Sequence, residues 1–213
     1  MGKIAPIPDW AAPALQGLAY WLGSQHASGL ASNISEGAIA WELMRQLHTH
    51  RLPLRVLEAE VFYRHIPEFM VGGVPEDARH RADLVIATAT RADRGVSYGA
   101  GQVEAVIEIK HSRSRKTLVW DDIDYLAERR VSSPSVRAFL IYATIDERPE
   151  EFTNADGSAI KPRDQLTPEG SKYRVRRVCR ATQRIPSQNR KALGHYAVLI
   201  EIDPPKRRTS NDA

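Results

Sequence analysis

The segment Val136–Thr144 reads Val-Arg-Ala-Phe-Leu-Ile-Tyr-Ala-Thr, an almost unbroken apolar run. It lacks the alternation of a strand with one wet face, so it predicts a strand buried on both faces. Such a strand sits inside a sheet covered on two sides, which requires a layered fold. The 213 residues are one domain's worth, long enough to bury a core without metal or disulfide staples. The single cysteine, Cys179, excludes an intramolecular disulfide framework and any four-cysteine zinc site.

The surrounding pattern supplies the layers. Trp10–Gln25 has helical spacing, with Pro13 tolerated in the first turn. After a Gly-, Ser- and Asn-rich linker, Ser35 reads as an N-cap and Glu36 as a first-turn acid. Ile39, Leu43, Met44 and Leu47 continue that second helix to about His50. Strands are expected over Leu54–His65, Arg81–Ala87 and Val103–Lys110, then a helix over Leu118–Arg130. Val136–Thr144 follows, then a loop over Arg148–Ser171, then strands at Tyr173–Thr182 and His195–Ile202. The expected class is α/β, a mixed central sheet flanked by helices. Trp10, Tyr20, Trp21, Trp41, Trp120 and Tyr125 read as packing residues, with an interface as the alternative for the first three.

Charge is uneven along the chain. The net charge is only +4, yet eight bases and no acid lie between residues 170 and 200. They are Lys172, Arg174, Arg176, Arg177, Arg180, Arg184, Arg190 and Lys191. A second cluster is His111, Arg113, Arg115 and Lys116, and a third is Lys206-Arg-Arg208. The tail reads as a solvated end. The long stretch reads as a phosphate-contacting surface, since folded surfaces normally intersperse both signs. No apolar run approaches the ~18 residues of a membrane helix, and the N-terminus is not a secretory signal, so a cytoplasmic protein without a membrane partner is expected.

Chemistry concentrates on two strands. With a period of 2, Glu108 and Lys110 share one face of their strand, ~7 Å apart. Asp83 interrupts the apolar strand before it and falls beside Glu108 if the two strands pair as a hairpin. Two adjoining carboxylates repel unless a proton or cation joins them, and hard oxygen ligands suit Mg²⁺ or Mn²⁺. The competing assignment is a structural salt bridge of Lys110 with Asp83 or Glu108. His48 and His50 suit a helix C-terminus better than a metal site, and Cys179 reads as a buried filler. No phosphate-binding Gly-x-x-x-x-Gly-Lys loop and no Gly-x-Ser-x-Gly elbow occurs.

The ordered set Asp83 … Glu108-Ile109-Lys110 resembles the PD-(D/E)xK nuclease superfamily. Before it lies a helix with Glu36 near its start, and the order strand, strand with Asp, strand with Glu-x-Lys, helix, strand also matches the family core. The likeness spans residues 35–144, and Ala82 stands where the family often has proline. The resemblance implies a restriction endonuclease-like core. It divides the chain into an N-terminal helical extension (1–34), a nuclease-like domain (35–203) and a basic flexible tail (204–213). It implies that Asp83, Glu108 and the Ile109 carbonyl hold Mg²⁺, with Mn²⁺ as substitute. Lys110 then orients or deprotonates the attacking water or stabilises the transition state, and Glu36 helps hold metal. The implied activity is hydrolysis of DNA phosphodiester bonds, and backbone contacts alone do not separate DNA from RNA. One site cuts one strand, so duplex cleavage would need a homodimer or a partner nuclease or recognition subunit. The alternative is a non-cleaving nucleic-acid-binding or assembly subunit that retains the fold.

Overall fold

The computed structural model describes residues 5–30, 34–50, 55–69, 80–88, 98–99, 101–112, 116–130, 135–161, 165–184 and 192–203. The helices are α1 (Ala11–Ala27), α2 (Glu36–Thr49) and α3 (Lys116–Arg130). The strands are β1 (Val56–Phe62), β2 (Arg81–Ala87), β3 (Val103–His111), β4 (Arg137–Thr144), β5 (Gln165–Leu166), β6 (Lys172–Arg184) and β7 (Ala192–Ile202). They form one seven-stranded mixed sheet in the order β1-β2-β3-β4-β7-β6-β5. Only β3 and β4 pair in parallel, and α3 makes the crossover between them. The chain is thus α/β, as the layered argument requires.

β4 is the middle strand, and Ala138 through Ala143 are all buried. Its even and odd residues feed two cores, one on each face of the sheet. On one face Leu15, Leu18, Leu22, Ile39, Leu43 and Leu47 from α1 and α2 pack with Ile107, Ile109, Phe139, Ile141 and Leu199. On the other face Val119, Ile123, Leu126 and Ala127 of α3 pack with Val106, Leu140, Val198 and Ile200. The segment 1–34 contributes α1, which lies against β6 and β7. Ser35 caps α2 as expected, its hydroxyl accepting the Ala38 N–H at 3.2 Å.

Several expectations change. β1 stops at Phe62, and Tyr63–His65 form a 3₁₀ turn instead of prolonging the strand. The loop over 148–171 contains β5, a short addition that pairs with Lys172 and Tyr173. Tyr20 and Trp41 are 65% and 70% exposed. Their helices bury the stripes through Leu15–Leu22 and Ile39–Leu47, and these two aromatics lie off those stripes.

Candidate active site

β2 and β3 pair antiparallel in a register that includes Leu84 opposite Ile107. The next pair in that register would be Asp83 and Glu108, and there the ladder ends. The Ile109 N–H donates to Asp83 Oδ2 at 2.7 Å instead of to a backbone carbonyl of β2. A backbone N–H at a strand separation must find an acceptor, and the Asp83 carboxylate provides it. In a strand the N–H and C=O of one residue face the same edge, so the Ile109 carbonyl faces the Asp83 side too. Asp83 and Glu108 come within hydrogen-bonding reach of each other.

Electrostatics at this point are unfavourable. Burial pushes the Asp83 carboxyl up to about 6, and the nearby Glu60 charge adds to the shift against the opposing Ile109 N–H and Lys110. Glu108 is only 9% exposed, and burial, then the Asp83 charge, hold it well above the usual carboxylate range. Tyr63 donates its hydroxyl to Glu108 Oε1. Burial, then the Glu108 charge, keep that phenol protonated far up the pH scale. The Tyr63 ring is itself held by Phe69 and Tyr125, both with centroids at 5.4 Å.

Lys110 stands one step further along the Glu108 face. Its Nζ lies 3.0 Å from Asp122 Oδ2 and 3.6 Å from Glu36 Oε2. Burial lowers the Lys110 pKa, and the Asp122 and Glu36 charges more than offset it, so the amine stays an ammonium. Glu36 therefore comes to the lysine, where the resemblance makes it a helper at the metal. Glu42 is buried and bonds Arg45 and Gln46 on its own helix, away from the cluster.

Sequence reasoning missed three residues here. Tyr63 arrives through the 3₁₀ turn after β1, which no motif announces. Asp122 was visible only as one of several acids on α3, and its place over Lys110 depends on how α3 packs. Glu60 lies between the paired residues Ala59–Leu84 and Val61–Ala82, across from Asp83. Its φ of 54° puts a non-glycine residue in the left-handed region inside a strand, a costly conformation that often marks functional sites. Its carboxylate lies 3.6 Å from the Arg81 guanidinium.

The expected phosphate-binding residues divide sharply. His111 is 3% exposed and lies on the α1/α2 face, opposite Ala143, so it does not accompany Lys110 to the surface. The acid-free stretch is acid-free only along the chain. Arg174 forms a two-pronged pair with Asp203, at 2.9 and 2.6 Å, and Arg176 pairs with Glu201. Strand pairing delivers both acids: β7 runs antiparallel to β6 and sets Glu201 opposite Arg174. Glu201 also lies opposite Phe139, on the α1/α2 face, so these arginines occupy the face away from Glu108 and Lys110. Arg177 and Arg180 are exposed. Arg113, Arg115, Arg190 and Lys191 lie outside the described residues, as do the side chains of Lys116 and Arg184.

A cleft of about 530 Å³ opens on the α1/α2 face, lined by Trp10, Ile86, Ala105, Arg137 and Phe139 among others, and none of the clustered acids reaches it. No helix among the described residues is long and apolar enough to cross a membrane. No protein-family model, no curated protein and no solved structure matches the chain.

Proposed function

We propose that the chain is a metal-dependent DNA endonuclease with a restriction endonuclease-like core. One observation carries the reading: Asp83 and Glu108 adjoin where β2 leaves β3, with the Lys110 ammonium next on the same face. The donor set fits a hard divalent cation. A buried and a half-buried carboxylate, both with raised pKa values, need a proton or a cation between them. Asp83, Glu108 and the Ile109 carbonyl would hold Mg²⁺ or Mn²⁺. Among the described residues no three of His, Cys, Asp and Glu converge on one metal position. Mg²⁺ commonly takes just one or two carboxylates and completes its shell with water and substrate phosphate.

A bound divalent ion supplies charge neutralisation at the phosphate and a more acidic water. The chain's own residues do the rest. Lys110 offers a fixed ammonium to a phosphate oxygen as negative charge grows on it, and its raised pKa favours this role over that of a base. Asp122 and Glu36 aim that ammonium from two sides. Tyr63 fixes one Glu108 oxygen and leaves the other to face Asp83.

The test is nicking of supercoiled plasmid in Mg²⁺ or Mn²⁺ by the wild type, Asp83→Ala and Lys110→Ala. The wild type is expected to nick, and each variant to be slower by about 10³-fold or more, roughly 4 kcal/mol of lost transition-state stabilisation. Equal nicking by all three would overturn the assignment. Binding by a wild type that never nicks would point to the non-cleaving subunit instead.

A further inference from the structure

We infer that the substrate's phosphate backbone runs over Arg64 and Arg81 at the open end of the β1–β2 pair, and not along β6. The inference rests on the nuclease reading for its substrate class, and it moves the expected contact surface to the other side of the sheet's centre.

β1 ends at Phe62, which pairs across the hairpin with Arg81, the first residue of β2. The Arg81 guanidinium carbon lies 4.2 Å from the Phe62 ring centroid, and that of Arg64 lies 4.5 Å from it. Both side chains are exposed. Stacking on an aromatic ring holds a guanidinium plane in place while its N–H edges stay open to solvent. Less side-chain freedom is then lost when those N–H groups bond phosphate oxygens, and the planar fork matches a phosphate in two-pronged fashion. The pair is thus preorganised for an anion.

Its position matters more than its charge. Arg81 and Asp83 are two residues apart on one strand, ~7 Å along it, and Glu60, which lies across the ladder from Asp83, reaches Arg81 at 3.6 Å. A phosphate held at Asp83 and Glu108 would place its neighbour on the same strand within reach of Arg81. His80, also exposed, stands edge-on to Tyr125 at 4.9 Å, and Arg129 lies 5.0 Å from the same ring. Tyr125 in turn touches Tyr63, the residue that holds Glu108. The aromatic wall of the acidic cluster therefore carries the Arg129 guanidinium and the His80 imidazole against Tyr125. Arg81 pairs with Glu60 at 3.6 Å, and with Glu60 62% exposed that pair is screened by solvent and salt. Arg174 and Arg176 instead meet half-buried or buried carboxylates at bonding distance, on the face away from Glu108.

The shared chemistry is the phosphodiester backbone, so the contact carries no base sequence. The experiment measures binding of a fluorescent 20-base-pair DNA duplex, and of an RNA duplex of the same sequence, to the full chain in Ca²⁺. Salt is varied from 50 to 200 mM. Arg64→Gln/Arg81→Gln is compared with Arg177→Gln/Arg180→Gln. The first pair is expected to weaken DNA binding about tenfold or more and to flatten the log–log salt slope by about 2, near 0.9 for each lost phosphate contact. The second pair should leave both unchanged. Arg64→Lys/Arg81→Lys should keep the slope, which separates lost charge from a damaged fold. Weakening on RNA as well as DNA upholds the backbone contact and widens the substrate class. Unchanged affinity and slope in Arg64→Gln/Arg81→Gln overturn the inference, as does a wild type that binds neither duplex. Weakened binding in a protein that never nicks plasmid would uphold this surface and sink the nuclease reading. Nicking with unchanged binding would do the reverse.

Discussion

The two halves of the sheet treat charge in opposite ways. In the β6–β7 half, three arginines on the α1 face find partners of the other sign. Arg174 meets Asp203, while Arg176 and Arg137 converge on Glu201. In the β2–β3 half, Asp83 faces Glu108, with Glu60 and Asp122 close by, and the half-buried Lys110 ammonium is drawn to Asp122 and Glu36. Along the chain the two regions look alike, since each is a strand with charges where apolar residues are expected. Only the partners across the ladder differ. A network satisfied internally has little left to bind. A network left with excess charge of one sign is held in the fold at a cost.

The sharpest way to break this contrast is at its satisfied end. Glu201 is buried and accepts from both Arg137 and Arg176. Glu201→Ala leaves two poorly hydrated guanidinium groups without their counter-charge. Loss of one partner from a buried ion pair costs ~3–5 kcal/mol. For a chain of this size that corresponds to a fall in Tm of roughly 10 °C. Thermal unfolding checks it. A change below about 1 kcal/mol would mean that the β6–β7 network is as dispensable as a surface pair.

At the unsatisfied end the sign reverses. Asp83 titrates at about 6 in the folded chain, well above an unperturbed carboxyl, because burial opposes its charge. The folded state therefore binds the extra proton, and the penalty for ionising it is absent below the unfolded pKa. Stability falls as pH rises through the window from about 4 to about 6, then levels off. Glu108, shifted the same way, extends the fall upward. Asp83→Asn removes the charge and should stabilise the metal-free protein at pH 7 by about 2 kcal/mol while flattening that slope. Mn²⁺ should raise the Tm of the wild type and not of the variant. Denaturation curves at pH 4, 6 and 8 decide the matter, and an Asp83→Asn protein less stable than wild type at pH 7 would contradict it.

The contrast also explains what could be read from the chain. The juxtaposition of Asp83, Glu108 and Lys110 follows from two local facts, the period of a strand and a hairpin register, and both hold. The double-sided burial of β4 was likewise written in one local run. What depended on distant partners was not legible. Arg176 and its acid are 25 positions apart, so the acid-free stretch suggested an open basic surface that β7 in fact neutralises in part. Tyr63 is turned onto Glu108 by a 3₁₀ turn that composition read as more strand. Asp122 became a partner of Lys110 only through the packing of α3. His111 adjoins Lys110 in sequence and is separated from it by the sheet itself.

The finest test lies within the unsatisfied cluster. Tyr63 stacks on Phe69 and Tyr125 and sends its hydroxyl to Glu108. Tyr63→Phe keeps the stack and removes only the bond. If Glu108 is a metal ligand, that hydroxyl is the outer contact that orients it, and such contacts are worth ~10–100-fold in metal affinity. The low end applies here, because Asp83 remains anchored independently by the Ile109 N–H. Mn²⁺ titration should thus show about tenfold weaker binding, or ~1.4 kcal/mol. A metal affinity equal to wild type would make Tyr63 a packing residue whose hydroxyl shields a buried carboxylate, and Glu108 would then belong with Glu201 among the satisfied charges.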